Sequence, residues 1–327
     1  MKIGKLPETV LMRSVLKQIN HRREEVIVGP ALGQDCAVLT LKEGEVFTLS
    51  SDPITGTVKD LGSHSIHITA NDLAASGAEP VGVMLTIMLP SKTKESVLKQ
   101  IMQDAESTCA KLGMEILGGH TEITDVVNQP LISVTGVGKV KQDELALATQ
   151  MQADQDIVVT KWVGLEATAI LAKEKEEQLR SVFSEDFIDT ARKFDRYLSV
   201  IPEAKVACEV QVSAMHDITE GGVLGALWEM ANGAGVGLEV DLRRIPIRQE
   251  TVEICEFFKL NPYLIMSSGS MLMSTNDGKG LVDRLESAGI PATIIGRTND
   301  SKDRIIKRGE EVRYLDKPQS DELYKVM

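Results

Sequence analysis

Five short segments of the chain place an acidic residue beside glycine or other small residues where the backbone should turn or an element should begin. They are Gly33-Gln34-Asp35-Cys36-Ala37-Val38, Ser50-Ser51-Asp52-Pro53, Asn71-Asp72-Leu73-Ala74-Ala75-Ser76-Gly77-Ala78, Gly118-Gly119-His120-Thr121-Glu122 and Asp217-Ile218-Thr219-Glu220-Gly221-Gly222. Taken singly, each reads first as a turn or a helix cap, because Asp accepts local backbone hydrogen bonds and Gly takes positive φ. Asp72 differs. It sits in an apolar, small-residue helical stretch, where a carboxylate facing the protein needs a partner.

Should these acids converge, several kcal/mol per ion would oppose the clustering unless a cation neutralised it. An all-oxygen donor set without Cys or His selects a hard ion, and Mg²⁺ with phosphate oxygens is the usual case. Gly221-Gly222 at a helix start would turn N–H groups toward an anion, with the helix dipole in support. The chemistry this permits is attack on, or transfer of, a phosphoryl group. Neither GxxxxGK[ST] nor a GxGxxG directly after a strand is present, so a nucleotide site here must be built in another way.

The elements that must position these residues follow from periodicity. Val10, Leu11, Val15, Leu16 and Ile19 predict a helix over 8–20, and strand-like runs follow at Val26–Val28, Ala37–Leu41 and Val46–Ser50. A small-residue helix over Leu61–Ser76 closes at Gly77. Alternation from Val81 to Leu89 predicts a strand ended by Pro90. Thr93 is placed to cap the next helix and Glu95 lies in its first turn. Val97, Ile101, Ala105, Thr108, Cys109 and Leu112 form its buried face, and Gly113 stops it. A strand at Met114–Leu117 runs into Gly118-Gly119, and another spans Leu131–Val137. The polar, aperiodic stretch 141–155 divides the chain, giving expected domains 1–148 and 149–327. A strand at Ile157–Thr160, a helix from about Leu165 and a charged helical stretch over 173–198 open the second half. Alternating strands and helices make the class α+β or α/β.

Composition removes several function classes. A net charge of −12 argues against nucleic acid or an anionic membrane as partner, since both need clustered Lys and Arg. No apolar run approaches the ~20 residues of a bilayer span, and Met1–Pro7 lacks the apolar core of a signal peptide. The expected location is therefore cytoplasmic. Cys36, Cys109, Cys208 and Cys255 stand far apart without a CxxC pair, which favours reduced, mostly buried thiols over zinc or a disulfide framework.

In this order and spacing the segments GQDCAV, SSDPITG, NDLAASGAEPVGVMLT, ILGGHTE and AMHDITEGGVLGALWEMA resemble the AIR synthase (PurM-like) superfamily. That superfamily includes HypE, thiamine-monophosphate kinase and selenophosphate synthetase. Asn261-Pro262-Tyr263 through Ser268-Gly269, and Ile294-Ile295-Gly296-Arg297, look like later landmarks, so the resemblance covers nearly the whole chain. MKIGKLP and GGHTEITDVVN lean toward the HypE-like hydrogenase-maturation members. The resemblance implies an α+β, two-domain PurM-like fold, whose N-terminal domain forms an intersubunit β-barrel in a homodimer, with a C-terminal α+β domain beside it. It further implies ATP with Mg²⁺. By position Asp35, Asp52, Asp72 and Asp217 are the implied metal ligands. Asn71, Gly118, Gly119, Thr121, Thr219, Gly221 and Gly222 are implied nucleotide contacts, and the same four aspartates count among the cofactor-binding residues. His120, where the family often has aspartate, is either a contact to substrate or phosphate or a hydrogen-bonded structural histidine.

Other departures shape the functional expectation. Gln34 stands where an acid is common, and the glycine-rich N-terminal segment of HypE and selenophosphate synthetase is missing. The sequence ends Tyr324-Lys325-Val326-Met327, without the terminal cysteine that carries a carboxamide in HypE. The leading expectation is ATP-driven phosphorylation of a carbonyl or amide oxygen, as in a dehydration. A small-molecule kinase and a non-catalytic nucleotide-binding assembly partner are the alternatives.

Overall fold

The computed structural model describes residues 3–32, 34, 36–54, 60–317 and 320–327. The chain divides into two compact units, residues 1–74 with 78–143 and residues 75–77 with 144–327.

In the first unit, β1 (Gly4–Lys5), α1 (Glu8–Ser14), β2 (Val26–Val28), β3 (Val38–Leu39), β4 (Glu45–Ile54), α2 (Leu61–Ala75), β5 (Glu79–Leu89), α3 (Glu95–Leu112), β6 (Glu115–Ile123) and β7 (Leu131–Lys141) follow in order. Among the described residues the main sheet runs β1-β6-β5-β7-β4, with β5 and β6 parallel and the other pairs antiparallel. Its inner face carries the alternation read in the sequence: Val81, Val83, Leu85, Ile87 and Leu89 are all buried. Helix α2 lies on this face, where Thr69 and Leu73 sit over Gly136 of β7. The outer face keeps Phe47, Leu49 and Met84 substantially exposed.

Several expected boundaries shift. The N-cap of α3 is Lys94 without a side-chain bond, so Thr93 does not cap it. Glu95 is held instead by Arg13 and Ser14 at 2.5 and 2.6 Å. Val97 is exposed and Leu98 takes the buried place at the start of α3, while Ile101, Ala105, Thr108 and Cys109 of the expected face are buried. The predicted helix over 8–20 stops at Ser14 and resumes as a 3₁₀ turn over Leu16–Gln18. Strand β4 runs through Pro53, which an edge strand tolerates because no ladder partner needs its missing N–H. An ionic cluster ties the β2 segment to the sheet: Glu25 receives Arg23 at 2.7 Å and Lys139 at 2.5 Å, and Arg23 also reaches Glu79 at 2.7 Å. These cations, Arg23 foremost, hold the Glu25 carboxyl well below the usual range despite its burial.

In the second unit, β8 (Asp156–Thr160), α4 (Leu165–Glu174), α5 (Glu176–Leu179), α6 (Glu185–Arg192), α7 (Ile201–Glu209), β9 (Ala214–Asp217), α8 (Gly222–Ala234), β10 (Gly237–Asp241), α9 (Gln249–Phe258), β11 (Met271–Thr275), α10 (Gly278–Ser287), β12 (Ala292–Asn299), β13 (Arg304–Arg308) and β14 (Glu311–Tyr314) form a sheet of order β14-β13-β10-β12-β8-β11-β9. One aliphatic core joins this sheet to α8 through Val159, Ile218, Leu227 and Leu272. A second gathers α4, α6 and α9 around Leu171, Ile188 and Ile254, and takes in Leu323 from the C-terminal segment. Lys161, just past β8, is buried against Glu203 of α7 at 2.6 Å and donates to the Tyr197 and Ser199 carbonyls. Burial lowers the Lys161 pKa and raises that of Glu203, each against the pull of the other's charge.

Candidate functional site

The expected residues fall into two clusters, one in each unit. In the first, Asp52 projects from β4 and Asp72 from α2, and both meet the Ser50 hydroxyl. Ser50 Oγ lies 2.5 Å from Asp72 Oδ2 and 3.1 Å from Asp52 Oδ2. The meeting follows from register: Ser50 and Asp52 pair with Gly136 and Val134, both buried on the sheet face that α2 covers. Asn71, one residue before Asp72, is fully buried. Two half-buried carboxylates around one hydroxyl form an all-oxygen donor pair that suits a hard divalent cation. Among the described residues no group of three potential metal ligands comes together. Asp35, the third implied ligand of this unit, lies outside the described residues, as does Gly33.

Gly118, Gly119, His120 and Thr121 lie within β6, whereas the sequence placed them after a strand. Gly119 has φ +141°, and a Cβ there would meet the Leu85 carbonyl oxygen at 1.9 Å, so close pairing with β5 demands glycine. These residues line a cavity of about 330 Å³ walled by Leu11, Val15 and Leu16 of the N-terminal segment and by Met102 of α3. His120 and Thr121 face opposite ways. Thr121 is buried beside Ile87, whereas His120 pairs with Thr86 on the outer face and is half-exposed. His120 Nε2 stands 3.2 Å from Glu122, a hydrogen-bonded arrangement, and points away from the face that carries Asp52.

In the second unit, β9 ends at the buried Asp217, and the loop through Thr219 and Glu220 leads into α8 at Gly222. Ile218 N–H donates to the Ser270 carbonyl at 3.0 Å. Gly222 has φ +62°, and a Cβ there would stand 2.5 Å from the Tyr263 carbonyl oxygen. His216 precedes Asp217 and contacts Glu229 at 3.2 Å. Burial works against its charge, yet Glu229 and Asp217 together raise its pKa above the ordinary imidazole value. The Gly221 N–H, expected to face an incoming anion, donates to Asp321 Oδ2 at 2.8 Å. Sequence reasoning missed Asp321. Its only local signal is the bond it accepts from Leu323 N–H, which marks a turn and says nothing of a loop 100 residues away. Burial pushes the Asp321 carboxyl up to about 6, although the N–H groups of Leu323, Gly221 and Met266 pull the other way.

Two units of this α+β build make up the two-domain PurM-like fold. The chain belongs to the AIR synthase related protein family: the N-terminal domain of that family matches residues 33–140 and its C-terminal domain residues 152–308. A Methanocaldococcus jannaschii protein, assigned provisionally to hydrogenase expression and formation, is 27% identical over 99% of this chain and 97% of its own length. Among solved structures, that of the hydrogenase maturation protein HypE in complex with ATP superposes with a TM-score of 0.80 at 18% identity, covering 98% of this chain and 97% of that one. Thiamine-monophosphate kinase from Stenotrophomonas maltophilia follows at a TM-score of 0.74 and 20% identity, covering 95% and 99%. Among the described residues no helix is long and apolar enough to cross a membrane.

Proposed function

We propose that this protein is a Mg²⁺-dependent, ATP-binding enzyme that phosphorylates a carbonyl or amide oxygen of its substrate. The observation that carries the reading is the Asp52–Ser50–Asp72 cluster, an acidic oxygen pair held on rigid elements in a family with an ATP-bound structural neighbour. Asp35, Asp52, Asp72 and Asp217 would hold the cation. Asn71, Gly118, Gly119, Thr121, Thr219, Gly221 and Gly222 would shape the nucleotide site, and His120 would serve at its periphery. Bound Mg²⁺ supplies charge neutralisation for the phosphates. The chain's own part is to orient Asp72 beside Asp52 through the Ser50 hydroxyl, and to hold β6 close against β5 at Gly119.

Calorimetric titration with a non-hydrolysable ATP analogue, with and without Mg²⁺, tests the reading. Magnesium-dependent binding is expected, and binding in neither condition would sink it. The thiamine-monophosphate-kinase likeness supports a second reading, a small-molecule kinase on the same fold. A stable phosphorylated product would favour the kinase, and release of ADP and phosphate with a dehydrated product the first reading. The uncovered outer face of the first sheet, with Leu49 70% exposed, supports a homodimer in which a second copy covers it.

A further inference from the structure

Residues 320–327 fold against the Asp217–Gly222 loop through contacts that bear on both its side chains and its backbone. Asp321 is only 3% exposed; its Oδ2 accepts from Gly221 N–H at 2.8 Å and its Oδ1 from Leu323 N–H at 2.9 Å. The Tyr324 hydroxyl donates to Glu220, the loop residue before Gly221. Glu322 N–H donates to the Leu264 carbonyl at 3.2 Å, and Leu323 is fully buried in the α4–α6–α9 core. Two further donors at the start of α8 are engaged within the chain: Gly222 N–H donates to the Thr219 carbonyl at 3.1 Å and Leu224 N–H to that of Tyr263 at 3.2 Å. A carboxylate of the same chain thus takes the place that a phosphate would need at this helix start.

We propose that Asp321 is a positioning residue of the candidate site: it fixes the Thr219–Gly222 loop by holding the Gly221 N–H, and it thereby keeps that N–H out of the phosphate contacts. The inference rests on the ATP-binding reading above and adds to it a residue that the acid-glycine segments do not contain. An anchored segment fits positioning better than a displaceable plug, since expelling Asp321 would also pull Leu323 from its core.

Two measurements on the full chain at pH 7.5 test it. In the ligand-free protein, amide hydrogen exchange across 217–225 should quicken at least tenfold in Asp321→Ala; unchanged exchange there overturns the proposal, whether or not nucleotide binds. In calorimetry with Mg²⁺ and the non-hydrolysable ATP analogue, Asp321→Ala should weaken affinity about tenfold and Tyr324→Phe two- to threefold. Ile188→Val, a core change in the same unit, should lower Tm without moving affinity. Equal or tighter binding by Asp321→Ala overturns the proposal, since tighter binding would mean that the carboxylate competes with phosphate. If Asp321→Ala does not fold, Tyr324→Phe decides, because its lost hydroxyl is at the surface. A wild type that binds no analogue would refute the ATP reading, and the exchange result would still judge the loop contact.

Discussion

Replacing Asp72 with Asn should make the ligand-free protein no less stable while removing its response to magnesium and nucleotide. The Ser50 hydroxyl has one proton, and the 2.5 Å contact assigns it to Asp72, leaving a lone pair toward Asp52 at 3.1 Å. The two carboxylate oxygens around Ser50 lie no more than about 6 Å apart, where like unit charges repel by about 1–3 kcal/mol at effective dielectrics of roughly 20 to 60. Both side chains are half-buried, so water screens part of this, and about 1 kcal/mol is the expected net relief. For a chain of 327 residues that corresponds to a Tm rise of about 1–2 °C. In the wild type, ligand at 100 times its Kd should add about 2.7 kcal/mol. Thermal unfolding followed by circular dichroism, with and without Mg²⁺ and the non-hydrolysable ATP analogue, reads both effects. A ligand-free Tm more than about 3 °C below wild type would show that Asp72 is structural. A full magnesium-dependent shift in the variant would show that it is no ligand.

Four further outcomes follow from contacts described above. Glu25→Gln should cost about 3 kcal/mol or more at pH 7, because it leaves Arg23 and Lys139 without their shared buried partner. Since the folded pKa of Glu25 is strongly depressed, this stabilisation is present above the ordinary glutamate pKa near 4.5 and fades as pH falls below it toward the folded value; the Tm gap between the two proteins should therefore hold from about pH 6 to 5 and narrow, without closing, by about pH 3. Glu203→Ala should lower stability by about 3–5 kcal/mol in urea unfolding, as it strands the buried Lys161. Gly119→Ala should cost at least about 2 kcal/mol by the same assay, since its Cβ would collide with the Leu85 carbonyl. Leu49→Arg should shift sedimentation toward monomer at micromolar concentration if a second copy covers the outer face; an unchanged profile would remove the homodimer.

Much of the architecture could be read from periodicity, and the misreadings have local causes. Strand β5 and helix α2 lie close to their expected bounds because their apolar spacing and the closing Gly77 agree. Strand β6 looked finished at Leu117 because two glycines are poor strand formers; the fold needs the second, Gly119, where β5 comes too close for a side chain. The Asp52–Asp72 pairing was legible only as a suspicion about a carboxylate in an apolar helix, since register and α2 packing decide which face each acid occupies. His120 illustrates the reverse. Its neighbours made it look like part of one cluster, but a period of two turns it to the opposite side of the sheet from Asp52. Asp321 was illegible because its role is a tertiary contact made across 100 residues.

Strand β1 has a kinetic consequence. Among the described residues it joins the sheet through two residue pairs, Gly4 with Ile123 and Lys5 with Glu122, after more than a hundred intervening residues. Closing so long a loop for so few bonds gives little return until β5, β6 and α3 are already assembled. The N-terminal segment should therefore dock last in folding and detach first in the native state. Because Leu11, Val15 and Leu16 wall the cavity beside Gly118 and Gly119, that detachment would admit solvent or a small molecule without global unfolding. The cavity's accessibility is then set by an opening equilibrium of a few residues, and native-state hydrogen exchange would show it as amides of β1 and α1 exchanging well ahead of those in β5 and β7.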